Sequence, residues 1–180
     1  MGAMTIQQPL RMDPDAYLAW EGAQERKHEL VDGVVRLVAW ATIQHIRIVG
    51  NVWMGLKTRL RGAPCEPFGS DLKVRTGERS YRYPDVTVDC GAPDPATQFA
   101  DRPAVLVEVS SPSTEVLDEL TKLEEYQRLE TVGHIVLLSQ SRPLARVWTR
   151  TAQGWTTQDA EGLDASLTLA HLSLTLPLAE

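Results

Sequence analysis

Asp85, Glu108 and Lys122 are the residues whose types and spacing can do chemistry in this chain. Asp85 follows Pro84 and precedes Val86-Thr87-Val88, so it opens a β-prone run. Glu108 stands 23 residues later (108 minus 85), inside the most apolar stretch, residues 104–109. A carboxylate there is costly to desolvate unless a cation, a proton or hydrogen bonds compensate. Carboxylate oxygens are hard ligands suited to Mg²⁺ or Mn²⁺, and such a metal activates water and offsets charge developing on phosphorus. Asp118, Lys122 and Tyr126 recur at four-residue steps, one stripe of a helix. That stripe flanks an apolar one of Val116, Leu120 and Leu123, so Lys122 is placed at the edge of the core to orient a water or a phosphate. Glu29, early in the chain, is a further candidate for the same acidic cluster.

Each piece alone has a plainer reading. An Asp after Pro is commonly a turn residue, a buried Glu commonly pairs with an arginine, and a stripe of Asp and Lys is commonly a solvated face. Their order on strand, strand and helix is what joins them.

The elements that must position these residues follow from periodicity and punctuation. Asp13 as N-cap and Pro14 at the first helical position predict a helix ending near Gly22. His28-Glu29-Leu30-Val31 and residues 34–38 around Asp32-Gly33 predict a hairpin. Ile43, Ile46, Val49, Val52 or Trp53, Leu56 and Leu60 predict a long helix from Thr42 to about Arg61 with one buried stripe. Strands are expected over residues 70–74 and 82–88, a loop over 90–102, and a central strand covered on both faces over 104–109. Pro112-Ser113-Thr114 is expected to launch a third helix over about 115–129. Residues 135–138 and 145–149 read as further strands, the second pairing toward Trp155. The alternating leucines 167, 169, 172, 174 and 176 read as a strand or turn-rich edge. The sum is an α/β fold with a central mixed sheet and helices on its faces, expected as one domain over 1–180 with residues 1–12 disordered or left from a tag.

The 180 residues carry a formal net charge of -6, which argues against phosphate coating as a sole role. An acidic pocket neutralised by cations escapes that argument. Cys65 and Cys90 form neither a disulfide framework nor a zinc site, so a reducing, cytoplasmic compartment is expected. No signal peptide or membrane span is legible. The four histidines lack a His-Glu-x-x-His helix, and Ser110, Ser111 and Ser113 lack a nucleophile elbow.

Tyr83-Pro84-Asp85, then Val107-Glu108-Val109, then a nearby lysine resembles the PD-(D/E)xK nuclease superfamily, the restriction-endonuclease-like fold. Ser110 stands where the superfamily signature has its lysine. In the Uma-two branch of endonucleases that lysine moves to the following helix. The run from Glu108 to Thr114 with Asp118, Lys122 and Tyr126 is similar to that branch. So are Glu29-Leu30-Val31-Asp32-Gly33, His45 at the start of the second helix, and Asp71 on the strand before Pro84-Asp85. The resemblance covers residues 13–139; residues 133–138 lack the family's frequent Tyr-Trp pair.

The resemblance implies Asp85 and Glu108 as metal ligands with the Val109 carbonyl as a third. Glu29 would complete the cluster, and Lys122 would act on the attacking water. Asp118, Tyr126, His45 and Asp71 would be positioning residues. The function expected is Mg²⁺- or Mn²⁺-dependent hydrolysis of DNA phosphodiesters, with a homodimer formed through the C-terminal leucines and exposed tryptophans. The alternatives are a binding or regulatory module on the same fold, or hydrolysis of RNA or another phosphodiester.

Overall fold

In chain order the elements are α1 (Pro14–Glu21), β1 (His28–Val31), β2 (Val34–Leu37), α2 (Ile43–Arg59), β3 (Glu66–Gly69), β4 (Val74–Gly77), β5 (Ser80–Arg82), β6 (Val86–Asp89), β7 (Pro103–Ser110), α3 (Val116–Gln127), β8 (His134–Ser139), β9 (Leu144–Thr151), β10 (Gly154–Glu161), β11 (Ser166–Leu169) and β12 (Leu174–Pro177). They are taken from a computed structural model that describes residues 8–92, 94–110 and 116–180. The Pro112-Ser113-Thr114 segment expected to launch α3 lies outside the described residues. No helix among the described residues is long and apolar enough to cross a membrane.

The chain divides into two compact units, one through Trp40 with Arg75–Arg82, the other Ala41–Val74 with Tyr83–Glu180. In the first, the Asp13 carboxylate accepts the Ala16 N–H at 2.9 Å and caps α1. Asp32 and Gly33 turn β1 into β2 with φ of 48° and 76°, the two positive values a type I′ hairpin requires. Leu10 and Met12 bond to this hairpin through Val35 N–H to Leu10 C=O and Met12 N–H to Gly33 C=O. Ordered structure therefore begins before Asp13, contrary to the expectation for residues 10–12. The sheet runs β2-β1-β5-β4, and Tyr17, Leu30 and Tyr81 pack its core.

The second unit carries a six-stranded sheet in the order β10-β9-β8-β7-β6-β3, with β7 and β8 parallel and the other pairs antiparallel. This is the mixed central sheet expected. Strand parity assigns its two faces. Val105, Val107 and Val109 join Val86, Val88, Val136 and Val147 against Leu56 of α2, Leu60 at its C-cap, and Leu167, Leu169 and Leu176 of the β11–β12 hairpin. Leu106 and Ile135 face the other way, with Val132 and Tyr126. Each such side chain stabilises the fold by roughly 1.5–3 kcal/mol on burial, and coverage on both faces is why β7 reads as a continuous apolar run.

Several expectations change. The single strand predicted over 82–88 is two, β5 and β6, in different sheets. Pro84 lacks the N–H that a continuous ladder would need, and Asp85 sits in the bend before β6. Residues 70–72 form a turn closed by the Leu72 N–H to the Gly69 carbonyl, so Asp71 is an exposed turn residue and not on a strand. The α2 stripe is buried only in its second half: Ile43 and Ile46 are 71% and 59% exposed. Leu167, Leu169 and Leu176 are core residues of this unit. Cys65 and Cys90 are joined in a disulfide. The antiparallel β3–β6 register sets Glu66 opposite Asp89, and the next step outward sets the two cysteines side by side. That pairing is a tertiary fact with no trace in their spacing.

Candidate functional site

The β6–β7 register pairs Val86 with Val107 and Thr87 with Leu106. One residue before β6 starts, the same register sets Asp85 beside Glu108. Asp85 continues the ladder with its side chain: Oδ2 accepts the Val109 N–H at 2.7 Å. Its Oδ1 lies 2.9 Å from His45 Nε2. His45 is on the first turn of α2, where the Thr42 hydroxyl caps the helix by accepting the His45 N–H at 3.2 Å. Gln140, just past β8, holds that turn from outside. Its Nε2 donates to Thr42 Oγ1 at 2.8 Å, and its carbonyl accepts from Gln44 Nε2 at 2.6 Å.

Glu108 is met from the other direction. Parallel strands such as β7 and β8 need a crossover of a dozen or more residues, and α3 is that crossover. It therefore starts near the end of β7. Lys122 Nζ lies 3.3 and 3.4 Å from the two Glu108 oxygens, and the Tyr126 hydroxyl donates to Oε1 at 2.6 Å. The polar stripe of α3 is thus its inner face: Tyr126 is 1% exposed, whereas Leu120 of the expected apolar stripe is 53% exposed. The Val116 side chain lies outside the described residues.

The side chains of His45, Asp85, Lys122 and Glu108 are 15–18% exposed, reachable by water yet dry enough to strengthen their electrostatics. His45 is raised above the usual imidazole range, first by its hydrogen bond to Asp85 and then by the Asp85 and Glu108 charges, against burial and Lys122. The imidazole feels both carboxylates and the ammonium, so the four groups share one field. Glu119 is raised above the usual carboxylate range by burial and by Asp118, with Lys122 opposing.

Of the residues singled out by sequence, the structure brings together His45, Asp85, Glu108, Val109, Lys122 and Tyr126. Asp118 lies on the first turn of α3, one turn before Lys122. Glu29 is in the first unit, where its carboxylate accepts from Arg82 at 2.9 Å. Gln44, Gln140 and Glu119 were not legible; nothing local marks a glutamine that grips a helix 98 residues away.

Among the described residues no group of three or more His, Cys, Asp or Glu is arranged to hold a metal. The donor set that remains, two water-accessible carboxylates at adjoining strand ends, fits Mg²⁺, which takes one or two carboxylates and keeps several waters.

A crystal structure described as a "putative nuclease belonging to DUF820" from Anabaena variabilis ATCC 29413 has the same fold, with a TM-score of 0.78. The match is at 14% identity and covers 93% of this chain and 96% of that one. Two proteins of Synechocystis sp. (strain ATCC 27184 / PCC 6803 / Kazusa), both described as uncharacterized, are similar in sequence. The chain is 34% identical to slr1290 over 73% of its own length and 70% of the relative's. It is 28% identical to sll1609 over 69% and 72%. The family model Uma2, described as "Putative restriction endonuclease", matches residues 14–179. With nearly its whole length matched, this chain belongs to the Uma2 family.

Proposed function

We propose that the chain is a divalent-metal-dependent endonuclease that hydrolyses DNA phosphodiesters. The observation that carries the reading is the convergence of Lys122 and Tyr126 on Glu108 beside a fixed Asp85. Asp85 and Glu108 would hold Mg²⁺ or Mn²⁺, which when bound supplies Lewis acidity toward a phosphate oxygen and lowers the pKa of water. The Val109 N–H and His45 fix the rotamer of Asp85, so its free energy of ordering is met before substrate arrives. Tyr126 does the same for Glu108. Lys122, an ammonium with three donors, orients the attacking water and offers positive charge to the phosphate. The family description and the nuclease fold of the Anabaena protein support this reading.

A second reading, a nucleic-acid-binding module without turnover, draws on the absence among the described residues of a three-ligand metal cluster. Cleavage of supercoiled DNA and of RNA with Mg²⁺ or Mn²⁺, alongside calorimetry of Mn²⁺ binding, separates the two. Glu108→Ala is expected to lower metal-stimulated cleavage on the order of a hundredfold or more and to weaken Mn²⁺ binding. Equal cleavage by a folded Glu108→Ala protein removes the nuclease assignment. Retained DNA binding with no product from wild type favours the module.

A further inference from the structure

We propose that the Cys65–Cys90 cystine is a thiol–disulfide exchange site for an anionic low-molecular-weight thiol. Structural cystines ordinarily resist reduction, and exposed ones are the labile ones. This one is half-buried on both sides and opens onto a cavity of about 230 Å³ lined also by Arg102, Thr131 and His171. That volume admits a small thiol. No carboxylate lines it. Asp89, before Cys90, is 2% exposed and turned to backbone, accepting the N–H groups of Gly91 and Arg102, and the Asp101 carboxylate lies against Gly91 outside the lining. Arg102 is exposed, and among the described residues its guanidinium makes no ion pair.

The backbone places Arg102 next to one cysteine in particular. The Cys90 N–H donates to the Arg102 carbonyl at 3.0 Å, so Arg102 neighbours Cys90, while Cys65 lies across on the β3 side. A cation next to a cysteine lowers its thiol pKa and makes it the better leaving group. The incoming thiolate therefore bonds to Sγ of Cys65. The Cys65–Cys90 bond breaks, and its electron pair leaves on Sγ of Cys90 as a thiolate beside Arg102. A second equivalent of thiol then bonds to the first, releasing Cys65 as a thiol. Two electrons pass from two small thiols, which leave as their disulfide, to the protein cystine. The same positive rim draws in an anionic thiol and repels a cationic one. Opening the cystine removes the covalent tie between the edge strand β3 and β6, the strand that begins just after Asp85. In a reducing compartment a cystine of this kind is ordinarily a transient, redox-sensing one.

The test uses the full chain, oxidised, with glutathione (net anionic), mercaptoethanol (neutral) and cysteamine (cationic) at equal thiolate concentration, followed by intact mass and peptide mapping. The expected result is a mixed disulfide on Cys65 that forms about tenfold faster with glutathione than with cysteamine. Arg102→Gln, at an exposed position, should erase that discrimination, slowing glutathione most and mercaptoethanol less as the Cys90 leaving group loses its neighbouring cation. Equal rates for the three thiols in the wild-type chain overturn the proposal. So do an adduct on Cys90 alone, reduction only by a dithiol protein, or two alkylatable thiols in protein isolated without reductant.

Discussion

Tyr126 is a nearly sealed phenol whose hydroxyl ends on a carboxylate, Glu108, at 2.6 Å. Hydrogen bonds to charged groups are the stronger ones, so Tyr126→Phe should cost about 2 kcal/mol in urea unfolding. The same variant should weaken Mn²⁺ binding by releasing the Glu108 rotamer; Mn²⁺ affinity equal to wild type would leave Tyr126 a stability residue only. Glu108 was legible because a charge in an apolar strand is conspicuous. The Asp118, Lys122, Tyr126 stripe was legible as a stripe, but its depth was not. Two neighbouring stripes of one helix differ in depth only through the sheet beneath, and here the polar one turned inward. The His45–Asp85 contact joins residues 40 apart and leaves no local signal.

At the level of elements, Pro84 separates two strands that serve different sheets, and the residue just inside the first of them, Arg82, is fully buried. Its guanidinium meets Glu29 of β1, with side-chain exposures of 0% and 10%. Removing Glu29 withdraws a carboxylate from a fully buried guanidinium, so Glu29→Ala should destabilise the fold by roughly 3–5 kcal/mol, as read by chemical denaturation. A loss no larger than 1 kcal/mol on the order expected for exposed pairs would show that the pair is not dry. Element types were legible from periodicity, and the Asp32-Gly33 hairpin from turn chemistry. Strand partners were not: β3 beside β6, and with it the cystine, depends on chain segments that carry no mutual code.

For the molecule as a whole, the net charge is -6, and one buried group should add its own pH dependence to stability. His134 is 0% exposed, with Nδ1 on Thr149 Oγ1 and Nε2 accepting the His171 N–H. Burial foremost, and His171 beside it, push its pKa from 6.5 to about 4. The unfolded chain takes up a proton below 6.5 that the folded chain refuses until about 4, so stability falls as pH drops through that window. The full loss is roughly 3 kcal/mol. Urea midpoints across the window should slope upward with pH, and His134→Asn should flatten the slope; an unchanged slope would assign it to carboxylates instead. The α/β class of the fold was legible from the order of elements, but the division into two units was not, because its boundary falls at Trp40 and between Arg82 and Tyr83 without any linker-like composition.

That division also has a consequence for synthesis on the ribosome. The first unit is discontinuous: β1 and β2 emerge early, but β5, which bonds to β1, comes only with Ser80–Arg82. Until then one edge of β1 has no partner strand, so a nascent chain must carry an unfinished sheet through the whole of α2 and β3. Any fragment that stops before residue 82 inherits the same open edge.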